Sequence, residues 1–360
     1  MAYYHIDKSA RRIKEELGYG NYVNNTGLKG FVVDPRGKKN HFVYDAILWR
    51  YTYIAFSDTA IVNGYEDGDI IWHEHAHAIQ YHFGKGLRGS SGECGAIKEG
   101  CASYWAISNK LNISDYQWQY LGIWRYNSIY WWPAINYNLK YPQNYSTSYT
   151  VHENGRIFTS ALMKIQDNIA DITDAATGRD IADKLFLEMH YRWSNPTNFY
   201  NAANAYLESA KFFDNGIYYC IVASTLDEFG LLPSNVKTYS VQGPIQYAYI
   251  PKIISSDIKI QNAIINNGLE VKVTSCNEII GAGLRINSGA IVELEADGVI
   301  DVNNIVILSG GILKLKTTND IIMREVTVNS GGTLELDAGG KISVEYGNFR
   351  IMEGAGFVVK

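Results

Sequence analysis

LRINSGAIVELEADGVI (284–300), IVILSGGILKLKTTNDI (305–321) and VTVNSGGTLELDAGGKI (326–342) are three copies of one phrase. Gly268, Gly289, Gly310 and Gly331 recur every 21 residues, and a looser copy, FRIMEGAGFVV, closes the sequence with Gly354. Each copy reads as a strand, a glycine turn, a second alternating strand and another turn. In LELD, Leu334 and Leu336 point one way while Glu335 and Asp337 point the other. A unit this small cannot bury its own apolar face, so neighbouring units must stack. The pattern predicts an all-β repeat domain over 253–360, built as a small parallel β-solenoid. The competing arrangement is an antiparallel sandwich of regular hairpins, which the constant period disfavours.

The composition changes before the repeats. Histidine is absent beyond residue 240, and most aromatic residues precede it. Gly243-Pro244 and Pro251 are turn and breaker signals, which predict a linker at 241–252 and a separate domain over 1–240. At 360 residues the chain is long enough for two domains, each with its own core.

The N-terminal part carries the chemistry. DGDIIWHEHAHAIQYH (67–82) contains the spacing H-E-x-x-H at His73, Glu74 and His77. On a helix, residues four apart share a face, so both imidazoles can hold one metal ion while Glu74 lies beside a water on it. Asp67 or Asp69 can cap the start of this helix, and Gly84 and Gly86 offer a stop. His75 and His82 fall off the metal face. A catalytic zinc needs a third protein ligand, and Glu99 in GAIKEGCASYWAIS, itself helix-like with Ile97, Cys101, Tyr104 and Trp105 as an apolar stripe, supplies a carboxylate for a His2Glu set. The bland alternative is a histidine-rich helix whose rings are merely packed.

With these residues in place, the chain resembles the thermolysin-like zinc metallopeptidases, the gluzincins, and its wording is closest to the fungalysin-like branch. DIIWHEHAHAI, IKEGCASYWA, IWRYN and VHENGRIFTSALMKI carry the resemblance, which spans about residues 3–231 in consistent order. It implies a multidomain protein: a mainly α (α+β) zincin catalytic domain followed by the all-β repeats. It implies zinc held by His73, His77 and Glu99, Glu74 as general base, His152 as hydrogen-bond donor to the tetrahedral intermediate, and Arg125 as a ligand of the substrate carbonyl. Without the resemblance, His152 is a residue of a helix N-terminus, and Arg125 stacks among Trp124, Tyr126 and Tyr130.

The sequence also departs from the family. Ser103 stands where an acidic residue usually orients a metal-bound histidine. Asp69, four before His73, matches the family's usual Asp. Asp45-Ala46 replaces an Asn-Ala pair on a substrate-binding edge strand, so an amide donor is lost. The sequence before His152, YSTSYT, holds no acid to orient that ring.

The function expected is therefore a secreted zinc metalloendopeptidase acting on proteins or peptides. The alternative is a catalytically impaired peptidase-like protein that binds or adheres through its repeats. The repeats resemble β-repeat tails of secreted proteins from Bacteroidetes-type bacteria, which suggests cell-surface or extracellular-matrix contact. The extracellular location rests on these resemblances. Relative to the family the chain reads as N-terminally truncated, because neither a secretory signal nor the usual β-rich part precedes MAYYHIDKSARRIKEE.

A net charge of −5 without a basic patch argues against nucleic acid as a partner, and no apolar run is long enough to span a membrane. The aromatic residues crowded between 115 and 150 could line a cleft or simply pack. Family members often bind calcium, but no Asp-rich calcium loop is evident here. The four cysteines, Cys94, Cys101, Cys220 and Cys276, allow three full pairings; Cys94 and Cys101 flank Glu99 and could bridge to steady it, or remain thiols on a buried helix face.

Overall fold

The computed structural model describes residues 2–20, 32–37, 41–44, 52–57, 67–83, 89–115, 117–121, 132–193, 198–232, 238–245, 253–255, 257–345 and 347–360. The chain divides into two compact units, Met1–Leu232 and Pro233–Lys360.

The first unit is mainly helical. Its helices are α1 (Ala2–Arg11), α2 (Gly68–Phe83), α3 (Gly92–Leu111), α4 (Val151–Ile172), α5 (Ala175–Arg192), α6 (Phe199–Phe212) and α7 (Tyr219–Glu228). Their starts are written in local chemistry. The Asp67 carboxylate accepts from Asp69 N at 3.0 Å at the head of α2. Thr150 and Glu153 form a reciprocal capping box on α4, and Asp174 and Asn198 cap α5 and α6 through their side chains. Each such cap stabilises its helix by about 1 kcal/mol.

A small sheet precedes α2. Its strands are β1 (Val32–Gly37), β2 (His41–Tyr44) and β3 (Thr52–Ser57), in the order β1-β3-β2, with β1 parallel and β2 antiparallel to β3. A second, two-stranded ladder pairs β4 (Tyr120–Leu121) with β5 (Trp132–Pro133).

The helical core is aromatic, with Trp105, Tyr104, Phe158, Phe186, Phe199 and Tyr206 fully buried. At its centre sits one charged pin. Asp183, on α5, accepts from Arg12 Nη2 at 2.6 Å, from the Tyr104 hydroxyl at 2.9 Å and from Ser108 Oγ at 2.8 Å. A buried ion pair of this kind adds little net stability, but breaking it strands a charge and costs about 3–5 kcal/mol. It ties the N-terminal segment to α3 and α5.

The second unit is a parallel β-solenoid. One sheet runs β16 (Ile342–Val344), β14 (Ile321–Val328), β12 (Ile300–Ile307), β10 (Ile279–Ile286), β8 (Asp257–Ile265), β6 (Thr238–Ile245), with β17 (Arg350–Ile351) also on β14. The other runs β18 (Gly356–Val359), β15 (Thr333–Ala338), β13 (Ile312–Thr317), β11 (Ile291–Ala296), β9 (Glu270–Ser275), β7 (Ile253–Ser255). Every ladder in both sheets is parallel, so the antiparallel sandwich does not occur.

Register follows the period. Ile258, Ile279, Ile300, Ile321 and Ile342 lie side by side, as do Val292, Leu313, Leu334 and Phe357. Leu334 and Leu336 face the core while Glu335 and Asp337 face out. Gly268, Gly289, Gly310, Gly331 and Gly354 all take positive φ at the turn, a conformation a side chain would strain. On the outer face Glu295 bridges Lys272 and Lys316 at 3.1 and 2.8 Å. Residues 238–245, which overlap the stretch expected as a linker, form a strand pairing with β8. Among the described residues no helix is long and apolar enough to cross a membrane.

Candidate metal centre

Three helices bring four side chains together. His73 and His77 share one face of α2, Glu99 projects from α3, and His152 is the second residue of α4. One carboxylate oxygen, Glu99 Oε2, lies 3.0 Å from His73 Nε2, 3.4 Å from His77 Nε2 and 3.1 Å from His152 Nδ1. The ligand atoms of His73, Glu99 and His152 all fall within 4.8 Å of one another. Glu74 is buried on the same helix as the two histidines.

Backbone packing makes this convergence possible. Gly100 follows Glu99, and Gly155 lies one turn beyond His152; the two meet where α3 crosses α4. Thr159 Oγ1 donates to the Gly100 carbonyl at 2.9 Å across the same crossing. Cys94 and Cys101 are free, so no bridge between them steadies Glu99. Helix packing does that work instead.

The electrostatics follow from burial and proximity. Burial alone would raise the Glu99 carboxyl, but the charge on His77, the close approach of His152 and the hydrogen bond from His73 outweigh it and hold Glu99 well below the usual carboxylate range. Burial pushes His73 down to about 4, against the pull of Glu99. Burial opposes the charge on His77 as well, yet Glu99 raises that ring to about 8. Burial and the shared Glu99 thus drive the two rings in opposite directions.

Sequence reasoning missed Gln80. Its amide nitrogen donates to the Lys98 carbonyl at 2.8 Å, which turns its oxygen toward His77 Nδ1, 3.2 Å away. A carbonyl can only accept, so this contact fixes the amide orientation and makes His77 Nδ1 the donor. His77 Nε2, facing Glu99, is then the nitrogen left to bind a metal. The only signal in the sequence was position, three residues after His77 and so on the same helix face.

The remaining expected residues divide. Ser103 lies one turn after Glu99 on α3 and is partly buried. Asp69 is buried and accepts from Lys110 Nζ at 2.9 Å. His75 turns away from the centre, its Nδ1 2.9 Å from Ser9 Oγ. Asp45, Ala46 and Arg125 lie outside the described residues, as does the side chain of His82.

The donor set fits zinc. Imidazole nitrogens and a carboxylate oxygen converge in a half-buried place, with one ring's tautomer fixed by an amide. The same set, with Glu74 beside it, has the parts of a hydrolytic site. No family profile matches the sequence, and no characterised protein matches it significantly.

Proposed function

We propose that the N-terminal unit is a zinc-dependent peptidase. The observation that carries this reading is the approach of three imidazole nitrogens to one Glu99 oxygen within 3.4 Å, with Glu74 buried on the helix that bears two of them. His73, His77 and Glu99 hold the ion. Zinc in such a setting supplies Lewis-acid activation of water and polarisation of a carbonyl.

The protein's own groups do the rest. Glu74 takes the proton of the attacking water and passes it to the leaving amine. His152 donates a hydrogen bond to the oxyanion that forms, an effect worth a few kcal/mol for a well-aimed donor. Arg125 orients the substrate chain. The substrates are proteins or peptides, the setting is extracellular, and the solenoid serves contact with a surface or matrix. Calcium has no assigned role.

A second reading, metal binding without hydrolysis, draws on Ser103 standing where the resembled family has an orienting acid. One experiment separates the two. Zinc in the purified chain is measured by mass spectrometry, and cleavage of a quenched peptide is followed with and without a chelator. Chelator-sensitive cleavage supports the peptidase. Stoichiometric zinc without cleavage supports the second reading, and no zinc removes both.

A further inference from the structure

His152 is placed as the ligands are placed. A group that only hydrogen-bonds a substrate oxyanion must stand off the metal by the width of that oxygen. The ligand atom of His152 is grouped with those of the other donors: its Nδ1 lies 3.1 Å from Glu99 Oε2, against 3.0 Å and 3.4 Å for the rings of His73 and His77, and it falls within 4.8 Å of the ligand atoms of both His73 and Glu99. Ligands on one tetrahedral zinc, with bonds of roughly 2.0–2.1 Å, sit about 3.3 Å from each other. By that measure the spacing of His152 is the spacing of a ligand.

The four side chains are not equal in exposure. His73, His77 and Glu99 are 10%, 13% and 18% exposed, while His152 is 39% exposed. His152 also sits in the first turn of α4, whose backbone is fixed by the Thr150–Glu153 capping box. His152 thus stands at the solvent-facing rim of the centre, on a helix end whose backbone is held in place.

We infer that His152 is a fourth, exchangeable side-chain ligand that closes the resting metal centre. This rests on the metal reading above and deepens it. Three ligands come from the interior and stay. The fourth comes from the rim and yields its position to water or to a substrate carbonyl, after which the released ring is placed to act as the oxyanion donor. The centre is then latent until a substrate competes for the metal.

The test uses the full chain. Zinc affinity is measured by competition with a chromophoric chelator for the wild type, His73→Ala and His152→Ala, with His152→Asn as a second variant should the alanine disturb folding. The cobalt form of each is titrated with azide and followed by its visible absorption. The expected result is that both position-152 variants bind zinc at least about tenfold more weakly, and that their cobalt forms take azide at about tenfold lower concentration than the wild type. Unchanged zinc affinity and unchanged azide binding in the position-152 variants, with metal lost in His73→Ala, overturn this assignment and leave the metal reading standing. A wild-type chain that binds neither zinc nor cobalt sinks both.

Discussion

Gly100 and Gly155 touch backbone to backbone. A Cβ added at Gly155 would lie 2.7 Å from the Ala96 carbonyl oxygen and 2.9 Å from Gly100 N, and one at Gly100 would lie 2.6 Å from the Gly155 carbonyl oxygen. Neither obstacle is a flexible side chain, so relief requires the helices to part. Glu99 and His152 ride on those helices. Gly155→Ala is therefore expected to cost about 1–3 kcal/mol in stability and to weaken zinc binding as well. Urea unfolding and chelator competition measure the two effects. A variant as stable as the wild type with equal metal affinity would show that the crossing does not set the site.

Glu74→Gln keeps size and shape but removes the base. The expected outcome is full zinc content and loss of peptide cleavage by about 100-fold or more. Metal analysis and a quenched-peptide assay check it. Cleavage at the wild-type rate would take Glu74 out of the proton-transfer role.

Gln80 holds His77 through a single amide oxygen. Gln80→Leu removes the acceptor for His77 Nδ1, and zinc affinity should fall by about 10- to 100-fold. Gln80→Glu restores an acceptor and should retain affinity, although it forfeits the hydrogen bond to the Lys98 carbonyl. A merely structural role for Gln80 would be revealed by both variants losing stability together with no difference in metal affinity between them.

These residues also mark what the sequence could and could not convey. The His73–His77 spacing is legible because it is set by the helical period alone. Gln80 was not legible, because its orientation depends on the Lys98 carbonyl of another helix, and glutamine in a helix is otherwise unremarked. The approach of His152 to Glu99 depends on two glycines that local patterning treats only as weak helix formers. In the solenoid the parallel architecture was legible because every coil repeats the same phrase at the same interval. The strand over 238–245 was hidden by Gly243-Pro244, which reads as a breaker. Its ladder shifts register between Gln242 and Pro244, so the irregularity is absorbed within the strand.

The metal-free protein should show a pH signature from His77. Its folded pKa is raised from 6.5 to about 8. The stabilisation is therefore fully present below pH 6.5 and is lost as pH rises through about 8. A shift of this size corresponds to about 2 kcal/mol. Denaturant unfolding in the presence of a chelator, from pH 6 to pH 9, should show a decline that His77→Ala lacks. Parallel profiles for the two proteins would mean that the Glu99–His77 attraction does not stabilise the fold.

A second row runs through the coils of the solenoid that the glycine repeat does not announce. Asn262, Gly283, Asn304 and Glu325 occupy equivalent positions in successive coils, and all have positive φ, at 49°, 75°, 53° and 51°. Each marks a bend within the longer strand of its coil, where the inward–outward alternation slips by one residue. Glycine tolerates this conformation freely and asparagine does so better than most residues, but glutamate does not. A Cβ at Gly283 would also lie 2.5 Å from Asn262 Oδ1. Gly283→Ala should thus destabilise the solenoid by about 1–2 kcal/mol, while Glu325→Asn should stabilise it by a smaller amount, because it exchanges the one ill-suited residue of the row for the type already used twice. Thermal unfolding of both variants decides the matter. Opposite shifts in Tm are expected, and a fall in both would mean that contacts made by the Glu325 side chain outweigh the strain of its backbone.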